Sequence, residues 1–108
     1  MTVYCLLNID LYTEMKQETR IAIIGDFEPD RLSHKATYEA LLHAAGALSL
    51  LVRAEWLPTV VLETEAARTR LGEYHGIFCA PGSPYKSMIG ALAAIRFSRE
   101  QGWPFIGT

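Results

Sequence analysis

From Arg20 onward the chain switches repeatedly between two hydrophobic periods. "RIAIIGDF" (Arg20–Phe27) is a continuous β-branched run closed by glycine, the pattern of a strand buried on both faces. "EPDRL" then reads as a turn-rich loop, because Pro29 disfavours helix at Glu28. In "HKATYEALLHAAG" the apolar stripe Tyr38, Leu41, Leu42 and Ala45 has helical spacing. Ser33 is the expected N-cap and Gly46 the expected C-terminal cap. "LSLLVRAEWL" predicts a second strand, ended by Pro58. "ETEAARTRLGEY" predicts a short helix capped by Thr64 and stopped at Gly72. "HGIFCA" predicts a third strand, followed by the loop "PGSPY". "KSMIGALAAIRFSREQ" predicts a long helix with Met88, Leu92 and Ile95 along one side, and Gly102 ends it. "WPFIGT" (Trp103–Thr108) predicts a fourth strand.

The order β-α-β-α-β-α-β implies parallel strands with right-handed crossovers. The expected fold is α/β, an open doubly wound parallel sheet of the flavodoxin-like kind. Ligands of such sheets lie beyond the carboxyl ends of the strands. That edge carries Gly25-Asp26, Ala54 to Trp56, Pro81-Gly82-Ser83 and Gly107-Thr108. Residues 1–19 form an N-terminal extension, an apolar start "VYCLLNIDLY" and a polar stretch "TEMKQETR", ahead of one domain over 20–108.

Composition narrows the classes. Half of the 108 residues are hydrophobic and 20% are charged, as in an ordinary globular domain. A net charge of −2 supplies no field for a phosphate backbone, so nucleic acid is not an expected partner. The apolar stretch from Ala36 to Val52 is broken by Glu39 and His43 and does not read as a membrane span. The two cysteines, Cys5 and Cys79, form no CxxC and no metal spacing. A reduced, cytoplasmic protein without metal or cofactor is expected.

Two segments carry a family resemblance. "YHGIFCAPGSPYKSMIGALAAIRFSREQGWPFIGT" resembles the glutaminase half of CTP synthase, a class I glutamine amidotransferase. There an apolar strand enters a Pro-Gly-Gly loop, and a helix ending in an Arg-Phe-Ala-Arg-Glu-like sequence precedes a strand ending in glycine. "IAIIGDFEPDRLSHKATYEALLHAAG" resembles the start of the same domain. Gly25-Asp26-Phe27 and the Pro81–Tyr85 loop are also similar to a smaller stand-alone group, the CTP synthase C-terminal region-related proteins, some of which are described as selenoproteins.

The resemblance implies the class I glutamine amidotransferase-like fold and a link to pyrimidine biosynthesis. It implies hydrolysis of glutamine or a similar amide by a cysteine or selenocysteine nucleophile, kept reactive by a histidine and a glutamate. In that family the fourth strand feeds a nucleophile elbow. "WPFIGT" is then expected to end one residue before the nucleophile, with the domain incomplete at its C-terminus. A UGA read as stop, a truncation and a genuinely short protein remain open.

Gly82, Ser83, Pro84 and Tyr85 are the expected oxyanion- or substrate-binding residues, with Gly82 and Ser83 in the place of the family's paired glycines. The competing reading is a plain strand-to-helix turn shaped by the prolines. Ser83 departs from the synthase's second glycine. Ile89 departs from an acidic residue near that place. Asp26, Lys35 and Gly107 are candidate residues at the ligand edge; a carboxylate bonding backbone is the alternative for Asp26. No catalytic residue is assigned within the chain: Cys79 reads as a small core hydrophobe. His34, His43 and His75 read as solvated or packing residues, and Trp56 and Trp103 as covers for the ends of the core. The rival function is a non-catalytic α/β module binding a small ligand or a protein, with self-association through the open sheet edge. A flavodoxin or receiver-like function finds little support, since the first loop has no Ser/Thr-rich phosphate cradle and no acidic pair follows the first strand.

Overall fold

The computed structural model describes residues 18–81 and 85–108. Four strands form one sheet: β1 (Glu18–Ile24), β2 (Leu51–Leu57), β3 (Gly76–Cys79) and β4 (Phe105–Gly107). Three α-helices connect them, α1 (Leu32–Ala47), α2 (Glu65–Arg70) and α3 (Met88–Gln101). Short 3₁₀ turns at Thr59–Glu63 and Leu71–Glu73 flank α2. The strand order is β2-β1-β3-β4 and every pairing is parallel, as expected of the doubly wound sheet. The order reverses between β1 and β3, the switch point at whose carboxyl end sheets of this kind place their ligands.

Alternation along the strands sorts two faces. Ala22 and Ile24 of β1, with Ile77 and Cys79 of β3, meet Leu62, Leu71, Tyr74 and Ala94 in the main core. Leu57, Ala67, Phe97 and Trp103 close its margins. On the other face Ile21, Leu41, Phe78, Pro104 and Ile106 line a shallow apolar groove beside α1.

The inward faces of the two long helices differ from the expected stripes, in part for α1 and wholly for α3. The buried residues of α1 are His34, Thr37 and Ala45, with Leu41 half-buried, while Tyr38 and Leu42 are exposed. His34 and Thr37 tolerate burial because their polar atoms are paired. His34 Nδ1 accepts the Glu28 N–H (3.0 Å), and the Thr37 hydroxyl donates to the Ser33 carbonyl (2.7 Å). In α3 the buried face is Gly90, Ala91, Ala94 and Ser98, whereas Met88, Leu92 and Ile95 point outward. Small residues let this helix lie close to the sheet.

The caps divide similarly. The Thr64 hydroxyl accepts the Ala67 N–H, and Gly102 ends α3 in the left-handed region (φ 67°), both as expected. Ser33 does not cap α1. The N-cap is Arg31, without a side-chain bond, because the helix begins two residues earlier than "HKATYEALLHAAG" suggests. Gly46 is also inside the helix; Ser49 takes the left-handed position (φ 55°) in its stead. The Leu50 N–H returns to the Ala45 carbonyl and the Ser49 N–H to the Gly46 carbonyl, which together make a Schellman motif.

Candidate functional site at the carboxyl edge of the sheet

Beyond β1 the chain places Asp26 opposite the turn that follows β2 and the start of α3. One Asp26 carboxylate oxygen, Oδ1, accepts the Thr59 N–H (3.0 Å); the other, Oδ2, accepts the Lys86 N–H (2.9 Å). The Thr59 hydroxyl donates to the same carboxylate (2.8 Å to Oδ2) and accepts the Ser87 N–H (2.9 Å). The Ser87 hydroxyl donates to Glu63 (2.6 Å) and accepts the Gly90 N–H (3.0 Å), capping α3. Thr59 is fully buried and Ser87 nearly so. Burial works to raise the Asp26 carboxyl, but the N–H groups of Lys86 and Thr59, the Thr59 hydroxyl and the Lys86 ammonium outweigh it. They hold the group below the ordinary value of 3.8.

The loop entering α3 is fastened at its other end as well. The Tyr85 hydroxyl donates to the Ala80 carbonyl (2.7 Å), bridging residues 81–84. Ala80 is tied back to the sheet through its N–H on the Ile24 carbonyl (3.0 Å). Beside it Gly107 pairs with Cys79, and the Thr108 N–H approaches the Cys79 carbonyl (3.4 Å). The end of β4 therefore lies level with the start of the loop. The Cys79 thiol is free and buried, and desolvation pushes it up to about 11. A thiol so protonated is no nucleophile near neutral pH. Phe27, His34 and Trp56 stack at the β1–β2 end of the same edge, with centroids 4.8–6.1 Å apart.

Comparison with known proteins gives this arrangement a lineage. No family model matches. CTP synthase of Herpetosiphon aurantiacus is 32% identical over 92 residues, covering 85% of this chain and 17% of the relative. CTP synthase of Acidiphilium cryptum is 34% identical over 90 residues, with coverages of 83% and 17%. Among solved structures, the glutaminase domain of Trypanosoma brucei CTP synthase with bound acivicin superposes at a TM-score of 0.72 and 25% identity. That match covers 82% of this chain and 35% of the other. The chain is a relative of the CTP synthase glutaminase domain. It spans 17% of the length of these curated CTP synthases.

Within this glutaminase-like scaffold the expected site residues fare differently. Gly82, Ser83 and Pro84 lie outside the described residues. Tyr85 is at the loop's exit, its hydroxyl committed to Ala80. Asp26 is at the edge, but its oxygens are taken up by Thr59 and Lys86, the carboxylate-on-backbone alternative. Gly107 lies beside β3 near the loop. Lys35 is not brought to this network: its side chain is exposed on α1 and joins no hydrogen bond or ion pair of the described residues. Ile89 lines a groove between α2 and α3 with Glu65, Arg68 and Leu92. His34 and His75 each accept a backbone N–H, from Glu28 and Arg20, and His43 is exposed. Trp103 packs on the main core and donates to the Tyr74 carbonyl (2.6 Å).

Thr59, Glu63 and Ser87 were not singled out from sequence. Ser87 was visible in principle, as a serine immediately before the apolar period of α3. Thr59 carried no local signal, because its partners are 33 and 28 residues away.

Proposed function

We propose that this chain supplies the first half of a glutamine-hydrolysing site of the class I glutamine amidotransferase kind. The Pro81–Tyr85 loop serves the oxyanion through backbone N–H groups, and β4 leads to the nucleophile position. The observation that carries this reading is the juxtaposition of the start of the β3–α3 loop with the end of β4 at the carboxyl edge of a sheet homologous to the CTP synthase glutaminase domain. The substrate is glutamine or a similar amide, in keeping with the acivicin held by the Trypanosoma brucei domain. The buried free thiol of Cys79 suits a reducing, cytoplasmic setting. Ile106, exposed on the outer strand β4, supports self-association at that edge.

A chimera tests the reading. Residues 18–108 replace the matching stretch of Acidiphilium cryptum CTP synthase. The expected outcome is ammonia release from L-glutamine within about a hundredfold of the parent, roughly the loss that one misplaced oxyanion donor causes. A chimera that melts cooperatively yet releases no ammonia contradicts it.

A further inference from the structure

Three features of the chain converge on the face of the sheet opposite the main core. The first is a groove of about 130 Å³, floored by Ile21 of β1, Phe78 of β3, and Pro104 and Ile106 at β4. Leu41 of α1 is its only helical wall among the described residues. Ile106 is 57% exposed, and Ile21, Leu41 and Phe78 are half-buried. The second is the pairing of the strands, which is parallel throughout. Parallel sheets occur with both faces covered, because their strands are apolar on both sides. The third is the sequence ahead of β1. From Val3 to Tyr12 the only amide or charged side chains are Asn8 and Asp10. Leu7, Ile9 and Leu11 alternate with them, a pattern that offers one apolar side to a flat apolar surface and one polar side to water.

Length and attachment point to the same pairing. Residues 1–17 and 82–84 lie outside the described ones. Three residues reach at most about 11 Å, too little to line a groove that crosses three strands. The stretch ahead of β1 is long enough. Ile21 lies about 10 Å along β1 from Glu18, and β4 lies two strand spacings from β1, about 10 Å across. The polar run Thr13–Gln17 reaches up to about 17 Å, enough to double back from Glu18 and bring Tyr12 to the groove.

We propose that residues 3–12 occupy the groove of Ile21, Leu41, Phe78, Pro104 and Ile106 in the same molecule and complete the cover of β3 and β4. Burial removes two apolar surfaces from water at once. The occupant is the chain's own extension rather than a second copy, because so short a tether sets an effective concentration on the order of millimolar. The backbone edge of β4 stays open in this arrangement. The proposal stands apart from the glutaminase reading and survives its failure.

The test uses the full chain, ¹⁵N-labelled, with a nitroxide attached at position 8 of Asn8→Cys in a Cys5→Ser background. Position 8 is on the polar side of the stretch, and the Cys79 thiol, buried and pushed up to about 11, is spared by the reagent. The amides of Ile21, Phe78 and Ile106 should lose most of their intensity, while those of Arg68–Arg70 across the sheet keep theirs. Adding Ile106→Asp, a change at an exposed side chain, should restore the lost intensity. In the chain without nitroxide, Leu7→Asp with Ile9→Asp should accelerate hydrogen exchange at Phe78 and Ile106 about tenfold. Groove amides that keep full intensity beside the nitroxide overturn the proposal. So does equal broadening of a ¹⁵N-labelled chain by a separate, nitroxide-bearing unlabelled one, which makes a second copy the occupant. Exchange unchanged by the two aspartates overturns it as well, since the stretch then covers nothing.

Discussion

At the scale of single residues, two glycines in helices illustrate how environment reverses the effect of one substitution. Gly46 lies inside α1 with nothing within 4 Å of a Cβ built on it. Gly90 lies inside α3 with the Thr59 carbonyl in the way. Gly46→Ala should therefore stabilise the chain by about 0.5–1 kcal/mol through helix propensity. Gly90→Ala should destabilise it by about 1–3 kcal/mol or more, since α3 must move away from the turn that Asp26 also holds. Urea midpoints of the two variants check both signs; a neutral Gly90→Ala would show that α3 does not sit against Thr59. Arg20 is another residue whose role only the fold reveals. Its guanidinium lies 4.7 Å over the Tyr74 ring and 3.4 Å from Glu55, whose other oxygen accepts the Tyr74 hydroxyl (2.8 Å). The Tyr74 hydroxyl, foremost, and then Arg20 and Arg53 draw the Glu55 carboxyl below its ordinary value against a desolvation that works to raise it.

At the scale of elements, the Schellman turn after α1 offers the sharpest case. Its left-handed residue is Ser49, which lacks glycine's freedom at positive φ. Ser49→Gly should raise stability by about 0.5–1 kcal/mol, read as a melting temperature several degrees higher. No change, or a fall, would mean that the turn is not left-handed at 49. This turn also shows what was legible in sequence and what was not. The existence and order of all four strands and three helices followed from local hydrophobic period and punctuation, since a β-branched run and a glycine or proline act on their own neighbours. The facing of α3 did not follow, and that of α1 followed only in part, through Leu41 and Ala45. A stripe of large apolar residues is the usual guide to a buried face, but α1 buries His34 and Thr37 with their polar groups satisfied, and α3 buries glycine, alanine and serine to gain a close approach. The polar groups of α1 pair locally, with Glu28 and Ser33, but what packs on these faces is distant in the chain: Trp56 beside His34 and Thr59 against Gly90. The candidate site was legible to the same degree: the loop and its place at the sheet edge could be read, whereas the Asp26–Thr59–Ser87 path could not.

At the scale of the whole molecule, the two faces of the sheet are unequally covered. α2, α3 and the 3₁₀ turns close the main core on one side. The opposite side has α1 over β1 and β2, and the groove of Ile21, Leu41, Phe78 and Ile106 runs along β3 and β4. The match covers 35% of the Trypanosoma brucei glutaminase chain and 17% of the curated synthases. The central claim is that the carboxyl edge of the sheet, where Asp26 accepts the Lys86 N–H and β4 ends beside Cys79, serves amide recognition. A titration of the ¹⁵N-labelled chain with L-glutamine, with D-glutamine as control, tests it most directly. Saturable shifts confined to the amides of Gly25–Phe27, Tyr85–Gly90 and Gly107–Thr108, and specific to the L isomer, are predicted. No response to L-glutamine, or shifts centred on the groove between α2 and α3, would contradict it.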